Sequence, residues 1–302
     1  MGSPLRLTVD PEANPDEGAA ADGWADVVDE FERSEQAMSR FRDTSELTEL
    51  NRAAGTGRGV AVGWRLERAI VAADRACRVT NGRFDPRVLH DLDRLGYRGA
   101  AVPAPAADGA QARVACRPAP GCLRVDRAVD LGGIGKGLAL RWAADRLDRR
   151  GMRSYLLEAG GDLVVRGPGP IGGEDWRIGI EDPSGLDTPL AVVAAGDRAV
   201  ATSSIGVHAW LADGVPVHHL IDPTTGQPGG EGLLAATVAA RDPAWAEVWS
   251  KTLFLAGRDG VTGLARARGL AAWWISADGS LSMTSAARVQ TVWVAAEASS
   301  AA

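Results

Sequence analysis

The 302-residue chain contains no apolar run of the roughly 18 residues that a membrane-spanning helix requires, and no basic stretch leading into an apolar one at its start. Cysteine is scarce. Cys77, Cys116 and Cys122 are odd in number and stand apart from the motifs described below, so they read as plain thiols rather than a disulfide framework or a metal site. A basic surplus is also missing: 33 Lys and Arg against 39 Asp and Glu give a net charge of -6 and a pI near 5.3. The basic residues are dispersed, which excludes a general nucleic-acid surface. No internal repeat is visible, and the length suffices for one large domain or two modest ones.

What is present alternates between two periods. Trp24, Val28, Phe31, Met38 and Phe41 predict a helix over 21–41, and Leu66, Ile70, Ala73 and Cys77 predict another over 64–80, stopped by Asn81-Gly82. Residues 99–121, rich in Ala, Pro and Gly, read as an exposed insertion. Leu138, Trp142, Ala143 and Leu147 give a helix over 135–150. Short extended runs follow at 154–157, 163–165, 176–180 and 190–194. A last helix at 243–256 precedes strands at 271–276, 281–284 and 288–294. The pattern predicts an α+β fold, mixed or antiparallel sheets flanked by several helices, in one domain over 1–295 with a disordered tail at 296–302. The ten tryptophans are read as core.

The densest segment runs from Asp130 to Asp162. In Gly132-Gly133-Ile134-Gly135-Lys136-Gly137 the glycines admit close backbone approach, the helix start offers unpaired N–H groups, and Lys136 adds a full charge. No Ser or Thr follows the lysine, so this is not a P-loop, and the spacing is not G-x-G-x-x-G. From these residues alone, a phosphate site and a simple strand-to-helix turn both stand.

Eight segments in order extend the picture: Met1-Gly2-Ser3-Pro4, SRFRDTSELTELNRAAG from Ser39, NGRFDP from Asn81, DLGGIGKG from Asp130, EAGGDL from Glu158, ATSS from Ala201, HHLIDPTTGQP from His218 and AEVWSKTLFLAG from Ala246. With them the chain resembles the ApbE family of flavin transferases. The resemblance implies an ApbE-like, tunnelling-fold-like domain that binds FAD. With a divalent metal, taken as Mg2+, it would transfer FMN to a Thr or Ser hydroxyl of an acceptor protein and release AMP. It implies that Met1, Arg83, Phe84, Asp85, Asp130, Lys136 and Ile221 line the flavin site and that His219 is the general base. Read by residue type alone, Asp85 is a turn cap, Phe84 a core residue and His219 a structural strand histidine. His218 and His219 point to opposite faces if the segment is extended, so only one can serve; His90 and His208 match nothing and are left as structural. Asp162 orients the glycine turn or caps the next strand.

The resemblance also implies metal ligands at the Gly133 backbone and in the segment from Ala246, where the sequence departs from the family: Glu247 stands for an Asp and Lys251 for a Thr. Three readings compete. Glu247 and Ser250 bind magnesium with Lys251 beside the phosphates; or the Lys251 ammonium replaces the metal; or the helix is an exposed surface with an i,i+4 ion pair. A Mg-dependent FAD pyrophosphatase, a non-catalytic FAD binder and a globular protein with accidental motifs are the alternatives to the transferase. Many family members carry an export signal before the first motif, and the present chain starts at that motif, so a cytoplasmic location is expected.

Overall fold

Antiparallel pairing organises every sheet of the described residues in this computed structural model, which are 3–14, 17–102, 114–183, 185, 188–206 and 208–296. The described residues form two compact units, one from within 31–135 and 209–228, the other from within 3–30, 136–208 and 229–296. The eight helices among the described residues are α1 Glu17–Met38, α2 Glu46–Arg52, α3 Trp64–Val79, α4 Leu89–Arg94, α5 Gly135–Arg149, α6 Pro243–Phe254, α7 Gly257–Ala267 and α8 Ser285–Arg288. None is long and apolar enough to cross a membrane. The α+β expectation holds, and the choice between mixed and antiparallel sheets falls to antiparallel.

In the second unit a seven-stranded sheet runs in the order Leu5–Val9, Tyr155–Ala159, Asp162–Arg166, Ala199–Ser204, Leu233–Ala240, Ala271–Ser276, Leu281–Met283. A second sheet of Thr291–Val294, Ala191–Ala195 and Trp176–Ile180 encloses one core with it, filled by Val165, Trp176, Ile178, Val193, Trp273 and Ile275. Helix α6 packs on strands 199–204 and 233–240. It starts sharply because Asp242 accepts the Trp245 N–H and Pro243 occupies the first turn. Gly137 lets α5 abut that start: a Cβ there would lie 2.5 Å from Ala244 Cα and 2.5 Å from the Pro243 carbonyl oxygen.

The first unit is built from α2, α3, α4, a three-stranded sheet and two hairpins, Ala209–Ala212 with Val215–His218 and Ile221–Asp222 with Gln227–Pro228. Val88, Leu92, Leu95, Val217 and Ile221 form an apolar cluster within it, with Tyr97 and Trp210 packed against it. Helix α3 follows its prediction closely. Leu66, Ile70, Ala73 and Cys77 are buried, and the end is a Schellman motif in which the Gly82 N–H donates to Cys77 O (2.8 Å) and the Asn81 N–H to Arg78 O (3.2 Å).

Several expectations are corrected. Helix α1 buries Val27, Glu30, Phe31, Ser34, Ala37 and Met38, while Trp24 and Val28 are exposed and Phe41 lies beyond the helix end. Its inward face therefore carries small and polar residues that a search for bulky apolar ones overlooks. Trp64 and Trp293 are exposed as well, so the tryptophans are not all core. The helix at 243–256 is not the last, since α7 follows it, and the run from Arg288 opens with the end of α8 before the strand Thr291–Val294. The 99–121 segment includes the strand Cys116–Ala119; its residues 103–113 lie outside the described residues, as do 297–302 of the tail.

Candidate active site

In the first unit the turn from Asp130 is held by two side chains on its flanks. Asn51, fully buried on α2, donates to Val129 O (2.8 Å) and accepts the Val129 N–H (2.9 Å), locking the residue before the turn. Asp130 then accepts the Gly132 N–H through Oδ1 (2.8 Å), an Asx turn that opens the glycine run, and its Oδ2 lies 2.9 Å from Arg40 Nε. Arg40 is 4% exposed. It also reaches Asp93 Oδ1 at 3.0 Å and donates to the Tyr97 carbonyl. The guanidinium lies over Phe41 (4.8 Å) and Tyr97 (5.1 Å), a cation-π contact with each, and the two rings meet edge to face at 5.6 Å.

Tyr97 continues the stack. Its ring is parallel to Trp210 at 5.2 Å, the Trp210 indole N–H donates to Leu95 O (2.6 Å), and His219 tilts beside Tyr97 at 6.5 Å. Phe41 is 55% exposed, which leaves an aromatic face open on the cluster. His218 turns elsewhere and accepts the Leu220 N–H on Nδ1 (3.3 Å). The Asp222 turn is as the sequence reads: its Oδ1 accepts from the Thr224 N–H (2.8 Å) and hydroxyl (2.6 Å).

The remaining sequence-predicted residues of this unit have other surroundings. Asp85 accepts the Arg87 N–H (2.9 Å) as a cap and pairs twice with the Arg87 guanidinium (2.8 and 2.5 Å), while Phe84 and Ile221 are buried. Arg83 is exposed and Gly133 is buried within the turn. Met1 lies outside the described residues.

In the second unit the structure brings together Lys136, Glu247 and Asp162. Lys136 Nζ stands 2.9 Å from Glu247 Oε1 and 2.8 Å from Asp162 Oδ2. Each carboxylate has its other oxygen fixed by backbone: Glu247 Oε2 accepts the Gly137 N–H (2.8 Å) and Asp162 Oδ1 the Thr202 N–H (3.0 Å). Both free oxygens therefore converge on one point, which the ammonium fills. Burial pulls the lysine pKa down, but the two carboxylates more than offset it and the net direction is up. Burial, aided by Asp162, raises the pKa of Glu247 against the opposing pull of Lys136. Glu247 is 4% exposed and Ser250 fully buried, which overturns the reading of α6 as a solvated, surface-paired helix. The Ser250 hydroxyl bonds to Glu247 O (3.0 Å) and to Ser203 Oγ (3.0 Å), and Lys251 is half-buried one turn beyond Glu247.

Sequence reasoning passed over Arg40, Asp93, Tyr97 and Trp210, and it offered Asp162 as orienting the glycine turn or capping the next strand, not as a partner of Glu247. The signal for Asp162 was its place after Gly160-Gly161, which puts a carboxylate at the first position of a strand. His208 was also set aside as structural. Desolvation and the nearby Lys136 charge hold its pKa below the usual imidazole value. Asp162 Oδ2 is buried and receives no hydrogen bond in proper geometry, so its only compensation is charge. Two converging carboxylate oxygens are the donors a hard cation takes when water and phosphate complete its shell. Among the described residues no group of three or more His, Cys, Asp and Glu adds to them.

Known proteins resemble this chain in sequence and in fold. An FAD:protein FMN transferase of Klebsiella pneumoniae (strain 342) is 27% identical over 296 residues, spanning 92% of this chain and 83% of that protein. One of Salmonella typhimurium is 32% identical over 155 residues, 51% of this chain and 44% of that protein. Among solved structures, the ApbE protein of Thermotoga maritima MSB8 superposes with a TM-score of 0.80 at 25% identity, covering 96% of each chain. The sequence pattern of the ApbE family itself matches residues 1–274, the stretch that holds the glycine turn, the paired carboxylates and His219, and the chain belongs to that family.

Proposed function

We infer that this chain is an FAD:protein FMN transferase. The observation that carries the inference is the relative of that name aligned along 92% of the chain, and the clusters at Arg40 and Lys136 supply chemistry suited to it. In the reaction a Thr or Ser hydroxyl oxygen of an acceptor protein bonds to the FMN phosphorus, the pyrophosphate P–O bond breaks, AMP departs and the hydroxyl loses its proton. His219, beside Tyr97, is assigned as the base. Lys136 is assigned to the phosphates, and Phe41 and Tyr97 offer aromatic surface to a flat ring. Asp162 Oδ2 and Glu247 Oε1 are the oxygens that would hold magnesium, with Ser250 positioning the Glu247 turn rather than facing the ion. The ion, when bound, neutralises pyrophosphate charge. The single functional domain over 1–295 is retained as part of this reading.

The test is AMP release from FAD, followed with a threonine-bearing acceptor peptide whose gain of flavin fluorescence is read in parallel. Release coupled to labelling, reduced about 10²- to 10⁴-fold in His219→Ala, supports the assignment. AMP formation without peptide labelling would turn the reading toward a pyrophosphatase.

A further inference from the structure

The chain holds 33 basic residues, of which only Lys136 and Lys251 are lysines. One of the two is the cation between Asp162 and Glu247. We propose that the Lys136 ammonium is a resident, displaceable counter-ion: it occupies the point where a divalent cation would bind, so the metal enters only as Lys136 leaves. The proposal rests on the transferase reading for its account of where Lys136 goes, namely to the phosphates.

Three observations support it. First, the point is defined by oxygens that cannot turn away. Glu247 Oε2 and Asp162 Oδ1 are pinned by backbone N–H groups at 2.8 and 3.0 Å, so Oε1 and Oδ2 face the same point whatever cation fills it. Second, Asp162 Oδ2 is buried without a hydrogen bond and some cation must stay with it. Third, the occupant is the residue type and exposure suited to exchange. The ammonium is a point charge on a flexible stem, and the Lys136 side chain is 27% exposed whereas both carboxylates are 5% exposed. Lysine thus has a way out that the carboxylates lack.

Exchange has a thermodynamic consequence. A ligand that draws the ammonium away strengthens metal binding, and the metal strengthens that ligand's binding by the same factor. A pyrophosphate-bearing ligand is such a ligand. The metal and the nucleotide then load cooperatively, each binding alone more weakly, and in the metal-free protein the ammonium keeps the acidic pair neutralised.

The experiment uses the whole protein with lysine carrying ¹³C at Cε, which gives two side-chain signals; a Lys251→Arg spectrum assigns them. Titration with Mg2+ alone is expected to shift the Lys136 signal along a saturable curve, and adding ADP is expected to move the curve to lower Mg2+ by about tenfold or more. A second measurement follows Mn2+ binding by loss of the free-ion EPR signal. Lys136→Met is expected to bind Mn2+ about tenfold or more tighter than the parent, and Lys136→Met with Asp162→Asn to lose that gain. The proposal is overturned if Mg2+ saturates with the Lys136 signal unmoved, or if folded Lys136→Met binds Mn2+ no tighter than the parent. Neither readout requires turnover, so failure of the transferase reading would appear separately, as absence of AMP.

Discussion

Each unit buries a cation between two carboxylates, and the two arrangements differ in whether the cation can leave. Arg40 lies between Asp93 and Asp130, and Lys136 between Asp162 and Glu247. Arg40 is also gripped by a backbone carbonyl and stacked by Phe41 and Tyr97, with its side chain 4% exposed. A guanidinium held by two carboxylates, a backbone carbonyl and two adjoining rings is a fixed part of the fold; it sets Asp130 and, through Tyr97, the ring beside His219. The ammonium of Lys136 has two partners and a partly open side. Similar charge arithmetic therefore serves two ends, one cation for positioning and one for exchange.

The strongest way to break this contrast is to remove each cation. Arg40→Met leaves Asp93 and Asp130 without their shared partner and removes the cation from beside the Phe41 and Tyr97 rings, so a loss of about 3–5 kcal/mol is expected in urea unfolding, unchanged by millimolar Mg2+. Lys136→Met is expected to cost less, about 2–3 kcal/mol, because its site is a quarter open. Mg2+ should restore part of that loss. Equal losses, or rescue of both variants, would show that the two cations are alike.

Gly137→Ala sharpens the contrast from the backbone side. The added methyl meets Ala244 Cα and the Pro243 carbonyl at 2.5 Å, atoms of a helix start that cannot yield as a side-chain tip can. The expected cost is about 1–3 kcal/mol. The displacement also pulls the Gly137 N–H from Glu247 Oε2 and lets that carboxylate turn, so Mg2+ protection against unfolding should weaken. Full stability with full Mg2+ protection in this variant would mean the pinned oxygens do not define the cation position.

How far these features could be read from sequence depended on their range. Helix α3 was legible because its period, its Asn81-Gly82 stop and its buried face all lie within twenty residues and agree. Helix α7 was missed because Gly257, Gly260 and Gly263 depress its helical signal, although Val261 and Ala265 give it a buried stripe. The glycine turn and Lys136 stood out by composition, yet Lys136 and Glu247 are 111 positions apart. No local pattern states that Gly137 is absent of side chain so that α6 can approach. Arg40 was one arginine among many, and only the folded chain shows its two carboxylates and two rings.

The smallest expected effect concerns pH and reaches the Arg40 cluster through α4. His90 has its pKa lowered below the ordinary 6.5, first by burial and further by Arg127, against the opposing pull of Asp93 and Asp91. The folded state thus binds fewer protons than the unfolded chain between the folded pKa and 6.5, so stability rises with pH through that window and falls as pH drops below 6.5. His90→Gln removes the titration. Unfolding from roughly pH 7.5 to roughly pH 5.5 should show a shallower loss of stability in the variant than in the parent. Asp93 gives the comparison a second reading, because it is also the Arg40 partner at 3.0 Å. With Arg40 replaced by Met, the uncompensated Asp93 charge pulls the His90 pKa upward, so the His90 contribution to the acid loss should shrink in that background. An acid slope from His90 that is the same with and without Arg40 would mean that Asp93 is held by something other than the guanidinium.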